Sequence, residues 1–281
     1  NKIRSGIKFD ILNDDINKVI KNFKINNVVL LSAYSDPDFC KKFKTISYDL
    51  NVKKTKKILK NLINKNIYFI FFSTEFIYKG DKGSYTEKSK ANPINLYGKQ
   101  KLEIEKFLKK KGKNFAIFRI AKTFGDDIND NTLVTNFIKL AKKKNQKLNA
   151  ATDQKFSPLF VKDLIRITNY FIKNTIIGTY NIGGSKSYSR YELYKKFNIL
   201  IDKSKKNLNK IELSKKNLCD FNFFEKRPKD VSFNINLLKN TINFNLTSIE
   251  DVFKSPKSKI GMKLLKASKI VLEPNNQNIY T

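Results

Sequence analysis

The 281-residue sequence contains no histidine, no tryptophan and only two cysteines. Without histidine, catalytic schemes that use imidazole as a base are excluded, and so are most zinc sites. We therefore predict no bound metal. Two cysteines, Cys40 and Cys219, are too few for a disulfide framework and indicate the reducing environment of the cytoplasm. Since no imidazole base can activate either thiol, we interpret both as unreactive.

Long apolar runs are also absent from the sequence. No stretch reaches the roughly 18 apolar residues of a membrane-spanning helix, and residues 1–10 lack the apolar core of a signal peptide. Hydrophobic residues still make up 40% of the chain and aromatic residues 12%. This composition is typical of a globular protein, and we expect no association with a membrane.

Arginine is scarce although the chain is strongly basic. Lysine and arginine together number 57 against 25 acidic residues, which gives a net charge of +32. That excess favours contact with nucleic acid. However, base readout and bidentate recognition of phosphate depend mainly on arginine, and the lysines are spread along the whole chain. We predict no specific nucleic-acid partner, but weak binding of polyanions at low salt.

Short apolar runs alternate with helical patterns in the first half of the chain. The runs are Val28–Ser32, Ile67–Ser73 and Phe115–Ile120. They are nearly continuous, as strands buried on both faces of a parallel sheet are. Apolar spacing predicts helices over 43–65 and 95–111, the second ending at Gly112. The alternation indicates an α/β fold, with a doubly wound parallel sheet and helices on both faces.

The second half is predicted to hold further helices, one strand and a long irregular segment. The helices are 132–144, Leu159–Lys173 and 187–200, the strand is Gly178–Gly184, and residues 203–227 are polar and irregular. We expect residues 203–227 to include loops on the substrate side.

A tyrosine and a lysine stand four residues apart after the second apolar run. The run ends at Ser73 and Thr74, and Tyr97 and Lys101 follow about two dozen residues later in a helical pattern. This spacing puts both side chains on one helix face. A fixed ammonium beside a phenol favours phenolate, so we expect Lys101 to lower the pKa of Tyr97. With a hydroxyl at the strand end, the pair predicts a proton donor for a carbonyl under reduction. The alternative is a surface tyrosine and lysine on an ordinary amphipathic helix.

The residues around this pair form an ordered set of motifs. They include Ser73-Thr74, Gly80, Tyr85-Thr86-Glu87, Asn92-Pro93, Asn95–Lys99, Asp153–Pro158, Tyr180–Gly184 and Lys226-Arg227-Pro228. In this order they resemble extended short-chain dehydrogenase/reductases, within them the dTDP-4-dehydrorhamnose reductase branch of sugar-nucleotide enzymes. The resemblance implies a Rossmann-like fold with a smaller C-terminal substrate-binding region. It also implies reduction of a 4-keto-6-deoxy sugar nucleotide, such as dTDP-4-dehydrorhamnose, by NADPH or NADH.

The resemblance also assigns roles to individual residues. The catalytic residues that it implies are Thr74, Tyr97, Lys101 and Asn51, with Asn51 acting through water. The cofactor is expected to contact Asp10, Ile11, Ser32, Ala33, Tyr34, Tyr97 and Lys101. The substrate is expected to contact Ser73, Thr74, Glu75 and Arg227. Simpler alternatives remain open for several of them. They are a helix cap for Asn51, packing after a strand for Ala33 and Tyr34, a structural carboxylate for Glu75 and a surface salt bridge for Arg227.

Two departures from the family pattern matter. The phosphate-binding G-x-x-G-x-x-G turn is absent, because Gly6 is the only glycine before residue 80. Since Lys8–Ile11 resembles the third strand and the adenine-side turn, we expect a fragment that lacks one β-α-β unit of about 30 to 40 residues. The strand at 28–32 would then have an unpaired edge.

The second departure is that Glu75-Phe76 replaces the usual Asp-Tyr, which removes a phenol hydroxyl. Sugar-nucleotide dehydratases carry a Thr-Asp-Glu triplet at this place. Because this chain has only one carboxylate there, a dehydratase function is disfavoured.

Three segments are predicted from these patterns. Residues 1–150 are expected to form the NAD(P)-binding part and residues 151–254 mainly the substrate-binding region, with some elements returning to the sheet. Residues 255–281 are expected to be a loosely ordered tail. The implied partner is a nucleotide-sugar substrate, and a homodimer stays open. Two other functions stay open as well: an NAD-dependent sugar-nucleotide epimerase and a noncatalytic regulatory relative.

Overall fold

A computed structural model describes residue 7 and residues 9–125, 132–203 and 208–254. Gly6, Lys8 and the predicted tail 255–281 lie outside the described residues. In chain order, the helices are α1 (Ile16–Phe23), α2 (Pro37–Lys42), α3 (Lys44–Tyr48), α4 (Thr55–Asn64), α5 (Leu96–Lys111), α6 (Leu133–Ala141), α7 (Val161–Asn174), α8 (Arg190–Lys203), α9 (Asn236–Thr241) and α10 (Ile249–Lys254). The strands are β1 (Asn27–Leu30), β2 (Tyr68–Thr74), β3 (Phe115–Ile120), β4 (Thr123–Phe124), β5 (Lys147–Ala151), β6 (Lys155–Phe156), β7 (Leu159–Phe160), β8 (Gly178–Ile182), β9 (Tyr188–Ser189) and β10 (Glu212–Lys216).

The central sheet has four parallel strands in the order β1-β2-β3-β8. The three apolar runs of the first half form its first three strands, within two residues of the predicted ends, and the strand predicted at 178–184 is the fourth. The predicted parallel sheet is thus confirmed. Within the described part of the chain, β1 pairs with β2 alone, which leaves its other edge unpaired.

Helices cover both faces of this sheet. On one face, Leu30, Phe71 and Ile117 pack with apolar residues of α1, α4 and α5. On the other, Ile70 and Phe118 pack with α7. Since successive strand residues point to opposite faces, both sets of side chains are buried, which explains why the runs are continuously apolar. This is the doubly wound, Rossmann-like arrangement that the sequence predicts.

The helix predicted over 43–65 is interrupted. It consists of α3, a π-helical segment at Asp49–Lys54 and α4. The helix predicted over 95–111 is confirmed as α5. Its first turn is capped by Asn95, whose side-chain oxygen accepts from the Gly98 N–H at 2.8 Å, and the helix ends at Gly112. The lysines of its last turn complement the helix dipole.

A third group of buried side chains lies apart from the sheet. It joins residues of α6, α8 and α10 with Ala150 of β5 and Ile211. Residues 203–227 are not wholly irregular as predicted, because β10 pairs in parallel with β5. Likewise, residues 159–160 and 188–189 form short strands before α7 and α8. These strands escaped prediction because their partners are far away in the sequence.

The third group of buried side chains contains residues from before and after residue 150. From the segment after residue 150, β8 joins the central sheet and α7 packs on it. The boundary at residue 150 stays a prediction. None of the described helices has the length and apolar character that crossing a bilayer requires.

Candidate active site

Thr74 lies at the carboxyl end of a strand in the middle of the sheet. It is the last residue of β2, and its backbone is still extended, with φ −144°. Its hydroxyl oxygen accepts from the Phe76 N–H at 3.2 Å and so begins a short 3₁₀ turn at Glu75–Ile77. Ligands of open α/β sheets bind at this edge.

Tyr97 and Lys101 lie on the face of α5 that turns towards this strand end. Both are buried, and the hydroxyls of Tyr97 and Thr74 share a hydrogen bond. Gly98 permits this close approach, because a Cβ at that position would collide with the Phe76 carbonyl oxygen. The structure thus brings Thr74, Tyr97 and Lys101 together.

The charge states of the pair differ from the expectation. Burial raises the pKa of Tyr97 and lowers the pKa of Lys101 to about 7. The Lys101 Nζ donates to the Phe72 carbonyl at 2.7 Å and lies 6.0 Å from the centre of the Tyr97 ring. The prediction that Lys101 lowers the pKa of Tyr97 is therefore wrong for this arrangement. Burial opposes the charged form of both groups and outweighs their proximity.

Asn51 lies within the π-helical segment and holds Tyr34, which lies in the turn after β1. Its side-chain oxygen accepts from the Tyr34 N–H at 2.9 Å, and its amide nitrogen donates to the Tyr34 carbonyl at 2.9 Å and to Gln100 Oε1 at 2.8 Å. Gln100 in turn donates to Ser47 at 3.0 Å. Asn51 is thus not a helix cap. It links the turn after β1 to the helix that carries Lys101, and π-helical turns often occur at functional sites.

Cys40 lies beside this link. It is fully buried, and its thiol donates to the Tyr34 carbonyl at 3.2 Å. Burial raises the pKa of Cys40 to about 11, so at neutral pH the residue is a thiol. This agrees with the interpretation that it is unreactive.

Ser73 is buried and bonded to a carboxylate of the neighbouring helix. Its hydroxyl donates to Glu105 Oε1 of α5 at 2.6 Å. Glu105 is paired with Arg119, whose Nη2 lies 2.7 Å from Glu105 Oε2, and both are buried. The Ser73 hydroxyl is thus engaged within the protein, and its contact with the substrate stays a prediction. The interaction stabilises the fold beneath the site.

Glu75 lies beside Thr74 with a buried carboxyl group. The backbone N–H of Lys122 donates to it, and the charges of Lys122 and Arg190 act on it to favour the ionised form. Burial raises the pKa of Glu75 to about 8. Arg190 comes from α8 and donates to Gln154 Oε1 at 3.0 Å. No spacing in the sequence relates Lys122 or Arg190 to Glu75, because each comes from a different element of the fold.

Arg227 is engaged within the protein. Its Nη1 lies 2.9 Å from Asp38 Oδ1 and donates to the Glu225 carbonyl at 3.0 Å. The guanidinium also lies 4.9 Å from the centre of the Phe223 ring. Only 10% of the Arg227 side chain is exposed. The structure therefore shows the salt bridge, and diphosphate binding stays a prediction.

The remaining expected cofactor residues lie along the carboxyl edge of β1 and in the turn before α1. Asp10 accepts from the Leu12 N–H at 2.9 Å and from the Asn13 side chain at 2.8 Å. Ile11 is buried and lines a cavity of about 210 Å³ together with Lys54 and other residues. Ser32 is buried and Ala33 half-buried after β1. Asp10 and Ile11 thus occupy a turn, and their role towards a cofactor stays a prediction.

Comparisons with known proteins give one family. A family model described as the RmlD substrate binding domain matches residues 7–255. Among curated proteins, methionine adenosyltransferase 2 subunit beta of Xenopus tropicalis is 26% identical over 200 residues, which are 68% of this chain and 60% of the relative. The dTDP-4-dehydrorhamnose reductase of Aggregatibacter actinomycetemcomitans is 28% identical over 173 residues, 61% of this chain and 58% of the relative. The chain thus spans about three fifths of the length of these relatives.

Solved structures give the same fold. A dTDP-4-dehydrorhamnose reductase from Bacillus anthracis, in complex with NADP, superposes with a TM-score of 0.78 at 24% identity, covering 87% of this chain and 85% of the other. A dTDP-4-dehydrorhamnose reductase from Clostridium acetobutylicum superposes with a TM-score of 0.73 at 25% identity, covering 82% and 80%. The Rossmann-like architecture of this chain is thus that of extended short-chain dehydrogenase/reductases.

Proposed function

The chain belongs to the family described as the RmlD substrate binding domain, and on this premise we propose that it reduces a 4-keto-6-deoxy sugar nucleotide, such as dTDP-4-dehydrorhamnose, with NADPH or NADH. The observation that carries the proposal is the meeting of Thr74, Tyr97 and Lys101. A phenol hydroxyl shares a hydrogen bond with the threonine at a strand end, and a buried ammonium lies one helical turn away. This is a proton-donor site for a carbonyl oxygen.

Each side chain has a role in this proposal. The Tyr97 hydroxyl gives its proton to the carbonyl oxygen of the sugar, and the Thr74 hydroxyl orients that oxygen. The Lys101 ammonium stabilises the phenolate that forms. Arg227, with Lys122 and Arg190, faces the negatively charged diphosphate of the substrate. The raised pKa of Tyr97 keeps the proton in place until charge develops on the substrate.

The residues fit the nicotinamide ribose part of a dinucleotide. The Lys101 ammonium has three donors, of which one is engaged with the Phe72 carbonyl, so it can donate to a ribose hydroxyl. Asn51 holds the Tyr34 backbone in place beside it. Bound NAD(P)H supplies the hydride. The glycine-rich pyrophosphate turn is not in the sequence, so the proposal of this cofactor depends on the residues at the nicotinamide ribose.

Two measurements on matched proteins test the proposal. NADPH and NADH are titrated by fluorescence against this chain and against the complete gene product, and reduction of dTDP-4-dehydrorhamnose is then followed with the Tyr97→Phe variant. We expect binding by the complete protein and at least a 100-fold loss of turnover in Tyr97→Phe, since a positioned acid contributes roughly 10²–10⁴-fold. Cofactor binding should not change in that variant. Unchanged turnover in Tyr97→Phe would contradict the proposal.

A second candidate function is that of a noncatalytic subunit. It is favoured by the vertebrate relatives named methionine adenosyltransferase 2 subunit beta, at 24–26% identity over 200 residues in Xenopus, Bos and Rattus. On this reading the fold is a partner of a methionine adenosyltransferase. Copurification with that enzyme and a change in its activity that persists in Tyr97→Phe would favour this candidate over the reductase.

A further inference from the structure

Three phenylalanines within four residues form an aromatic cluster in the segment between β10 and Arg227. Phe224 is 67% exposed, more than any other large apolar side chain in the described part of the chain, and Phe223 is 41% exposed. The rings of Phe221 and Phe223 stack with their centres 5.9 Å apart. Single exposed apolar side chains are ordinary, but a group of aromatic rings at the surface indicates a place where a ligand or partner binds.

This phenylalanine cluster lies beside the candidate active site. Glu225, the residue that follows it, donates its backbone N–H to Asp38 Oδ1 at the start of α2 at 2.8 Å. The carboxylate of Glu225 accepts from the Leu96 N–H at 3.4 Å, in the first turn of α5. Leu96 directly precedes Tyr97 in the sequence. The cluster is therefore fixed to the same helix end that carries the proposed proton donor.

Cations stand next to the exposed rings. The Arg227 guanidinium lies 4.9 Å from the centre of the Phe223 ring, and the side chain of Lys226 is exposed. The Lys41 side chain is 43% exposed, with its Nζ 3.6 Å from Glu225 Oε2. A nucleoside diphosphate joins a flat aromatic base to an anionic diphosphate, so rings and cations in one place match both of its parts. A sugar or an inorganic phosphate would leave the rings unused.

Building on the proposed reductase function, we infer that Phe224 stacks on the base of the nucleotide-sugar substrate, with Phe221 and Phe223 supporting it. The solvent-exposed ring leaves room for a base without any rearrangement of the core. Because every base has a π face, stacking does not read the hydrogen-bonding edge of the base. The subsite is thus expected to take thymine and uracil nucleotides with similar affinity.

A tryptophan reporter tests the stacking directly, because the chain contains no tryptophan. Phe224→Trp introduces a single indole, whose fluorescence is titrated with dTDP, UDP and inorganic pyrophosphate. Phe23→Trp is the matched control, since Phe23 is 40% exposed at the end of α1. We expect dTDP and UDP to quench the indole of Phe224→Trp with Kd values within about threefold of each other, as edge-blind stacking requires. Pyrophosphate should not quench it, and none of the three should quench Phe23→Trp.

Calorimetry with dTDP gives the second readout on proteins without the reporter. Phe224→Leu keeps an apolar side chain but lacks the π face, so its Kd should weaken roughly tenfold relative to the wild type. Phe23→Leu should bind dTDP as the wild type does. An unchanged Kd in Phe224→Leu, no binding of dTDP, or equal quenching of Phe224→Trp by pyrophosphate would overturn the inference. Stronger quenching by ADP than by dTDP and UDP would also overturn it, since the ring would then serve the adenosine of the cofactor.

The outcome for the base subsite is separable from the outcome for the reductase. If dTDP stacks on position 224 but no NAD(P)H is oxidised with dTDP-4-dehydrorhamnose, the reductase proposal fails and the base subsite stands. If reduction occurs with the same KM for dTDP-4-dehydrorhamnose in the wild type and in Phe224→Leu, the base subsite is wrong and the reductase stands.

Discussion

The pair Tyr97 and Lys101 shows what residue spacing can and cannot predict. Four-residue spacing on a helix correctly predicted that both side chains share one face of α5, because this follows from helix geometry. The contact of Tyr97 with Thr74 depends on how α5 packs against the end of β2. The charge states of Tyr97 and Lys101 could not be predicted from the spacing, since they depend on burial by residues far away in the sequence. The same holds for Glu75, whose raised pKa arises from the surrounding elements and not from its neighbours in the chain.

Replacing Lys101 by methionine should stabilise the protein at acidic pH. The folded-state pKa of Lys101 is about 7, below the ordinary value of 10.5. Between pH 7 and pH 10.5 the unfolded chain binds more protons at Lys101 than the folded protein does. The free energy of unfolding therefore rises with pH in this window. Below pH 7 the side chain is charged in both states, and the cost of burying the ammonium is greatest. Lys101→Met removes that cost but loses the bond to the Phe72 carbonyl, worth about 1 kcal/mol.

Urea unfolding at pH 6 and at pH 9.5 checks this prediction. The gain in the free energy of unfolding should be a few kcal/mol at pH 6 and should shrink or reverse at pH 9.5. Lys99→Met, an exposed lysine on the same helix, serves as the control and should change little at either pH. If the Lys101→Met protein is less stable than the wild type at pH 6, the burial of this ammonium does not destabilise the folded protein and the prediction is wrong.

Among the elements, α5 was predicted most closely because both of its ends carry local signals. Asn95 caps its first turn and Gly112 ends it. The segment over 43–65 was predicted as one helix, since a regular 3.6-residue period does not reveal the π-helical turn that carries Asn51. The strands β5 and β10 were missed because they are short, partly exposed and paired across about 60 residues of sequence.

The contact between α5 and the turn after β2 depends on Gly98. A Cβ there would meet the backbone carbonyl of Phe76, which cannot move without displacing Thr74. We expect Gly98→Ala to lower the free energy of unfolding by about 1–3 kcal/mol, although alanine is intrinsically the better helix former. Thermal unfolding measures this effect. Lys99→Ala, with its exposed side chain, should stay within about 0.5 kcal/mol of the wild type, and equal stability of the two variants would contradict the contact.

The ion pair between α5 and β3 should be sensitive to the loss of one partner. Glu105 and Arg119 are both buried, and the Arg119 guanidinium also donates to the Tyr78 hydroxyl at 2.8 Å. Glu105→Gln leaves the guanidinium without its counter-charge, which should cost about 3–5 kcal/mol. Glu103→Gln, on the same helix but half-exposed, should cost less than about 1 kcal/mol. Chemical denaturation of both variants compares them, and similar losses would show that Arg119 does not need Glu105.

At the scale of the whole molecule, the charge is strongly unbalanced. Even if each of the 25 acidic residues paired with one cation, the chain would keep a net charge of +32. Such an excess destabilises the compact state through repulsion between lysines. The charge does not determine the fold, because the lysines lie mainly on solvated faces while the strands stay continuously apolar. It does determine how the protein responds to salt.

Raising NaCl from about 0.01 M to about 0.5 M should therefore raise the Tm, because screening shortens the Debye length from about 30 Å to a few Å. Most of the increase should occur below about 0.15 M, where the long-range repulsion is lost. Heparin should bind at the low end of this range and dissociate as salt rises, since nonspecific contact with polyanions depends on released counterions. Thermal scans and heparin retention measure the two effects. A Tm that falls with salt would mean that attractive pairs such as Glu105–Arg119 outweigh the repulsion, and that the net charge is not what limits stability.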